Sequence, residues 1–312
     1  MKFNASDVRG IVVPIITPLK PDESVDENSL DKITDYLLQG GVHGIFVNST
    51  TGEGVSLLDE ERRNALKIVV DRVADRIPVY ASISDTSTKR ALRNLREAEE
   101  LGADIVVAHP PFYYPPNSQD EIYDYYEKIA RTANLPVMLY NIPFTTKAPI
   151  AIDTIRRLLT LEKIIGIKDS SVDFVFLQKL IELKKIRPDF RILIGKSNLW
   201  TAGILSGADG GLDGISNVIP AHCVRLYNEI MSGSGQVFDL QREINEIWRI
   251  YECRSFLGGV KGAMHLLGLC GLVTTGPILS ATRRELQHIR KILSENGIIA
   301  ARASLPSQKA TN

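Results

Sequence analysis

The stretch Ile164-Ile165-Gly166-Ile167-Lys168-Asp169-Ser170-Ser171 is a short apolar run that ends in a lysine. Three isoleucines and a glycine read as a buried strand. A lysine at the end of such a strand points into an interior or an enclosed pocket. Desolvation disfavours its ammonium form and frees the amine as a nucleophile toward carbonyls. Taken alone, Lys168 could equally snorkel to solvent or pair with Asp169. Tyr140 closes a second apolar run, residues 136–140. If the two runs are neighbouring strands, the phenol shares a pocket with Lys168 and can shuttle protons for an imine. The other reading of Tyr140, and of Tyr113, is an amphipathic rim residue. Thr50-Thr51-Gly52 reads either as a turn that uses glycine's freedom at positive φ, or as a nest of N–H groups and hydroxyls that holds a carboxylate. Asp169 reads as a residue that orients the local backbone.

The elements that must position these residues follow a repeating pattern. Residues 10–17, 44–47, 78–81, 105–108, 136–140, 164–168, 191–194 and 210–213 read as apolar strands. Helical spacing fills the intervals, at residues 58–73, 86–100, 119–133, 150–160, 173–184, 199–206 and from Pro220 to 232. Two starts have capping-box spacing, Ser24-Val25-Asp26-Glu27 and Ser118-Gln119-Asp120-Glu121. The first predicts a helix that ends at Gly40-Gly41 with Leu30, Ile33, Tyr36 and Leu37 on one face.

Eight such alternations with short connections predict a parallel sheet with right-handed crossovers. One joint recurs, Gly41-Val42-His43-Gly44, Gly102-Ala103-Asp104 and Gly207-Ala208-Asp209-Gly210, as a closed ring of equivalent units requires. No Gly-x-Gly-x-x-Gly follows the first strand, which disfavours a dinucleotide-binding doubly wound sheet. The expected fold is therefore an α/β (βα)8 TIM barrel over residues 8–232 with a C-terminal helical extension over 233–300. That extension is read as helices at residues 237–257, 259–269 and 282–295. Residues 301–312 lack apolar periodicity and are expected to form a frayed, disordered tail.

Composition narrows the function classes. Lys+Arg and Asp+Glu both total 37 in 312 residues, so no basic field favours nucleic acid or a membrane surface. Cys223, Cys253 and Cys270 lie far apart with no CxxC, which fits a reducing compartment and neither a disulfide framework nor a cysteine zinc site. Residues 1–7 carry no signal-peptide apolar region, and no apolar run approaches the ~20 residues that span a bilayer. The expectation is a cytoplasmic globular protein. The five histidines show no metal-ligand spacing, so no metal site is expected.

In barrels of this kind the active site sits past the C-terminal ends of the strands. There the chain carries Thr50-Thr51-Gly52-Glu53, Tyr140-Asn141-Ile142-Pro143 and Gly166-Ile167-Lys168-Asp169. In order, spacing and strand placement these resemble the three signatures of the dihydrodipicolinate synthase / N-acetylneuraminate lyase family. Gly207-Ala208-Asp209-Gly210-Gly211 and the helical C-terminal region fit as well, so the resemblance covers nearly the whole chain. It implies a (βα)8 barrel, usually a homotetramer built as a dimer of dimers, that binds pyruvate or another 2-oxo acid as a lysine Schiff base without a metal or organic cofactor. Lys168 would form the imine and Tyr140 would move protons. Thr50 and Thr51 would bind the 2-oxo acid carboxylate, with Thr51 in a hydroxyl relay to Tyr140. Tyr113 would complete that relay across a subunit interface. Thr145, Gly195 and Leu212 are the further expected substrate-binding positions.

The sequence departs from two branches of that family. Dihydrodipicolinate synthases resemble Tyr-Asn-Val-Pro-Ser-Arg, with the arginine on the aspartate-semialdehyde carboxylate. Here the matching residue is Thr145, which cannot make a bidentate carboxylate contact, and Lys147 lies out of register. Sialic acid lyases resemble Gly-Tyr-Asp-Glu after strand seven, where this chain has Gly195-Lys196-Ser197-Asn198. The resemblance then points nearest to aldolases or dehydratases of 2-keto-3-deoxy sugar acids, foremost to aldol cleavage of such an acid to pyruvate and an aldehyde. Two alternatives stand beside it: condensation of pyruvate with aspartate semialdehyde, and a catalytically silent member kept for binding.

Overall fold

A computed structural model describes residues 2–300, so the expected tail at 301–312 lies outside the described residues. Strands β1 (Gly10–Pro14), β2 (Gly44–Val47), β3 (Val79–Ser82), β4 (Ile105–Ala108), β5 (Val137–Asn141), β6 (Ile164–Asp169), β7 (Arg191–Ile194) and β8 (Gly210–Gly211) close into one parallel barrel in chain order. The closing pair sets Gly10 against Gly210 and Ile11 against Gly211. β1 and β8 are shorter than the apolar runs predicted. The regular strand β1 stops at Pro14, although Ile15 N still donates to Phe46 O at 3.1 Å. Past Gly211, Leu212 N still donates to Ile194 O at 2.8 Å, although the regular strand has ended.

Each strand is followed by helix, as the alternation requires. The helices are α1 (Glu27–Gln39), α2 (Asp59–Val73), α3 (Thr88–Glu100), α4 (Gln119–Thr132), α5 (Pro143–Thr146), α6 (Ile152–Leu158), α7 (Phe174–Glu182), α8 (Trp200–Leu205) and α9 (Pro220–Ser232). The three repeated glycine joints have the positive φ that a helix-ending turn asks for, +74° at Gly41, +84° at Gly102 and +118° at Gly207. The capping boxes are corrected in detail. Asp26, not Ser24, caps α1, accepting from Ser29 N at 3.2 Å. Ser24 is held in the preceding turn, where its hydroxyl donates to Asp22. Ser118 does cap α4, but Glu121 accepts from Asn117 N rather than from the cap residue's own amide.

Alternation along the strands sorts apolar side chains into two sets. Val12, Phe46, Tyr80, Val107, Met138, Tyr140 and Leu193 belong to a small cluster that fills the barrel. Ile11, Val13, Ile45, Val106, Leu139 and Ile167 belong to the larger layer between barrel and helices. Each fully buried aliphatic side chain of this layer contributes roughly 1.5–3 kcal/mol of burial free energy. Ile167 faces the helices, so Lys168, the next residue, faces inward.

Beyond α9 come α10 (Val237–Ile247), α11 (Phe256–Leu266) and α12 (Arg283–Glu295). The single helix expected at 237–257 is interrupted. A 3-10 turn at Trp248–Glu252 leads to an extended Cys253, and Ser255 caps a new helix by accepting from Gly258 N. The two segments cross closely: a Cβ on Gly259 would sit 2.3 Å from Ile250 O. No helix of the described residues is long and apolar enough to cross a membrane.

Candidate active site

At the C-terminal mouth of the barrel lies a cavity of about 380 Å³. Lys168, Tyr140, Thr50, Thr51, Gly195 and Leu212 all line it. The register explains the central pair: β5 and β6 set Tyr140 beside Lys168. Lys168 is 4% exposed, and its Nζ lies 4.0 Å from the centroid of the Tyr140 ring and 5.5 Å from that of Phe46. Among the described residues it makes no hydrogen bond and no ion pair. The pairing with Asp169 that the sequence left open is absent, because Asp169 is otherwise engaged. Its carboxylate accepts from Asn141 Nδ2 at 2.8 Å and Ser171 Oγ at 2.8 Å. Burial pushes the Asp169 carboxyl up from its ordinary pKa, and the bond from Asn141 opposes that shift. Asn141 and Asp169 thus lock β5 to β6 just behind the amine.

The threonine loop is shaped by β2 and its exit turn. Asn48 and Glu53 take positive φ, and Gly54 N donates back to Ser49 O at 3.1 Å. Thr17 Oγ1 donates to Gly52 O at 2.7 Å and ties the loop to the exit of β1. Thr50, not Thr51, is the hydroxyl neighbour of Tyr140: Thr50 Oγ1 lies 3.5 Å from Tyr140 Oη. Thr51 is buried at the cavity wall and makes no hydrogen bond to any described residue, so its N–H and hydroxyl are free for a ligand. The contact with Tyr140 expected of Thr51 is thus made by Thr50.

Two expected residues stand outside the cavity. Tyr113, with φ +71°, is 80% exposed and packs edge-on against Tyr114 at 4.9 Å between centroids. Within one chain it does not reach Lys168. Thr145 is exposed and does not line the cavity, where Phe144 does. Its neighbour Thr146 is buried with its hydroxyl donating to Ile142 O, so the short helix α5 uses that group itself. Lys147 bonds back to Phe144 O at 2.7 Å.

Several site residues carried no clear signal in the sequence. His109 leaves β4 and packs edge-on against the rings of Tyr140 and Phe112, at 5.9 and 5.6 Å. Burial pushes its imidazole down to a pKa of about 4, so it is neutral near pH 7. Trp248, Tyr251 and Phe256 come from the interrupted C-terminal helices and wall the outer cavity. Asp213 accepts from Ser197 N at 2.8 Å, Ile215 N at 3.1 Å and Tyr251 Oη at 3.1 Å, joining the exits of β7 and β8 to that wall. Gly195 is required by close approach, since a Cβ there would meet Ser170 Oγ at 1.9 Å. Among the described residues no group of three or more His, Cys, Asp or Glu side chains could hold a metal ion.

Behind the threonine loop Glu53 pairs with Lys261 of α11, both side chains essentially inaccessible. Glu53 Oε2 also accepts from Thr275 N at 2.6 Å and Thr275 Oγ1 at 2.8 Å, and Lys261 donates to Val273 O at 2.6 Å. The C-terminal region thereby fixes the loop that presents Thr50 and Thr51.

With this geometry in place, comparisons with known proteins are informative. The model of the Dihydrodipicolinate synthetase family matches residues 7–296. A 4-hydroxy-tetrahydrodipicolinate synthase of Kosmotoga olearia is 31% identical over 293 residues, 93% of this chain and 99% of the relative. An uncharacterized DapA-like lyase of Pyrococcus horikoshii is 35% identical, covering 82% of this chain and 89% of the relative. Among solved structures, YagE, a prophage protein of E. coli K12 in complex with pyruvate, superposes with a TM-score of 0.90 at 26% identity. That match covers 94% of this chain and 99% of the other.

Proposed function

The chain belongs to the dihydrodipicolinate synthetase family of pyruvate-dependent lyases and synthases, and on that premise we propose that it cleaves a 4-hydroxy-2-oxo acid, foremost a 2-keto-3-deoxy sugar acid, into pyruvate and an aldehyde. The observation that carries this reading is the amine of Lys168: buried, unpaired and 4.0 Å from the Tyr140 ring centroid. Lys168 Nζ adds to the C2 carbonyl and water leaves, giving an iminium. The C3–C4 bond then breaks, its electron pair entering the iminium to form an enamine while the C4 hydroxyl loses its proton. Protonation at C3 and hydrolysis release pyruvate and restore the amine. Tyr140 carries the protons, with Thr50 as its hydroxyl neighbour. The N–H and hydroxyl of Thr51 receive the carboxylate next to C2.

The ranking over aspartate semialdehyde rests on Thr145, where synthases resembling this chain place an arginine. That synthase activity is the second reading, favoured by the name of the Kosmotoga relative. We also propose a homotetramer in the cytoplasm. Tyr113, so exposed in one chain, would then complete the relay from a second subunit.

Borohydride reduction in the presence of pyruvate tests the mechanism. A pyruvate adduct mapped to Lys168 alone is expected, and Lys168→Arg abolishes it because a guanidinium stays protonated. An adduct on another lysine refutes the assignment. A panel of 2-keto-3-deoxy sugar acids and aspartate semialdehyde under one buffer then ranks the two readings. Sugar acids are expected to be preferred at least about tenfold in kcat/KM, the size of one lost charge-assisted contact.

A further inference from the structure

The outer half of the cavity holds a second cation that the Schiff-base chemistry does not use. Lys196 follows β7 and lines the cavity together with Lys168. It is half-buried, and its Nζ lies 4.3 Å from the centroid of the Trp248 ring. Among the described residues its ammonium forms no ion pair and no hydrogen bond. The aspartate that lines the same cavity, Asp213, has its oxygens taken by Ser197 N, Ile215 N and Tyr251 Oη. Phe144, Val172, Trp248 and Phe256 line the cavity as well, beside Ser170 and a Tyr251 whose hydroxyl is given to Asp213. A lone ammonium between apolar walls loses hydration that only a facing aromatic ring replaces. Such a charge is held ready for an anion. The same Trp248 has its indole Nε1–H buried without a hydrogen-bond partner, a second unsatisfied donor at this wall.

Resting on the proposed cleavage reaction, we infer that Lys196 binds a carboxylate at the far end of the substrate, so that the preferred sugar acid is a diacid with a carboxylate at each end. Its aldehyde product carries that distal carboxylate. A carboxylate fits better than a phosphate. A phosphate recruits several donors, including the backbone amide at a helix start. Here the amide of Ser197, which opens the helical segment after Lys196, is already given to Asp213. Lys196 lies on the loop after β7, away from Thr145 on α5, so it does not restore the contact whose absence ranks aspartate semialdehyde second.

The test uses the reverse aldol addition of pyruvate to two aldehydes of nearly the same size. Tartronate semialdehyde ends in a carboxylate, and D-glyceraldehyde ends in a hydroxymethyl group. The wild-type enzyme is expected to favour tartronate semialdehyde by about 10- to 100-fold in kcat/KM, the range of a hydrogen bond to a charged group. Lys196→Met is expected to remove most of that ratio, and Lys196→Arg, which keeps the charge, to retain most of it. Equal use of the two aldehydes by the wild type overturns the inference, as does a ratio unchanged in Lys196→Met. A higher kcat/KM for glyceraldehyde 3-phosphate than for tartronate semialdehyde overturns the carboxylate assignment. Borohydride trapping of pyruvate on the wild-type enzyme reads the imine step alone. Trapping with no charge preference sinks this inference and leaves the reaction standing, whereas no trapping sinks the reaction itself.

Discussion

Lys261→Met removes one half of a buried ion pair and leaves Glu53 inside the protein without its cation. The two side chains are 1% and 0% exposed, so neither charge can turn to water. Burial pushes the Lys261 ammonium down from its ordinary pKa, and Glu53 pulls it back up. Breaking such a pair costs about 3–5 kcal/mol, because the remaining carboxylate keeps its desolvation penalty and loses its compensation. That is roughly a hundred- to several-thousand-fold in the unfolding equilibrium. The pair also fixes the threonine loop, since Glu53 is three residues from Thr50 and bonds Thr275 on the far side. Lys261→Met should therefore raise the KM for the 2-oxo acid as well. Urea unfolding followed by circular dichroism gives the stability of wild type, Lys261→Met, Glu53→Gln and the double variant. The double variant should lose clearly less than the two singles added together, because the second change removes the orphaned charge. A Lys261→Met protein within about 1 kcal/mol of wild type would refute the reasoning. So would single effects that add to within about 0.5 kcal/mol, the behaviour of independent sites.

Tyr140→Phe keeps the ring that packs over Lys168 and removes the hydroxyl proposed to carry protons. Turnover should fall by about 10²–10⁴-fold while pyruvate can still be trapped on Lys168. Near-normal turnover would reduce Tyr140 to a wall residue. His109→Gln tests the buried imidazole through pH. Its folded pKa is lowered from 6.5 to about 4, so the unfolded chain takes up a proton that the folded chain refuses. The stability associated with His109 is complete above pH 6.5 and is lost as pH falls toward 4. The full loss is about 3 kcal/mol. Urea midpoints across this range should fall less steeply for the variant than for wild type. Parallel curves would show that the imidazole already accepts its proton in the folded state.

What could be read from the chain, and what could not, follows from how local the cause was. Lys168 and Tyr140 were legible because strand order and register alone bring them together, and both causes lie in short apolar runs. The same holds for the glycine joints, whose positive φ is set within a few residues. Which threonine neighbours Tyr140 was not legible, because it depends on a loop that holds two non-glycine residues, Asn48 and Glu53, at positive φ. Glu53 is held there by partners more than two hundred positions away, at Lys261 and Thr275. No local pattern announces that. Trp248 and Tyr251 fall inside residues 237–257, which read as one continuous helix. The helix breaks after Ile247, and the break turns both aromatic rings toward the mouth of the barrel. The ammonium of Lys196 then sits over the ring of Trp248, more than fifty positions away. The catalytic end of the cavity is therefore encoded by the barrel strands, and its outer end by the packing of a segment outside the repeat. Changes in the interrupted C-terminal helices should accordingly alter which aldehyde is accepted before they alter how the imine is made.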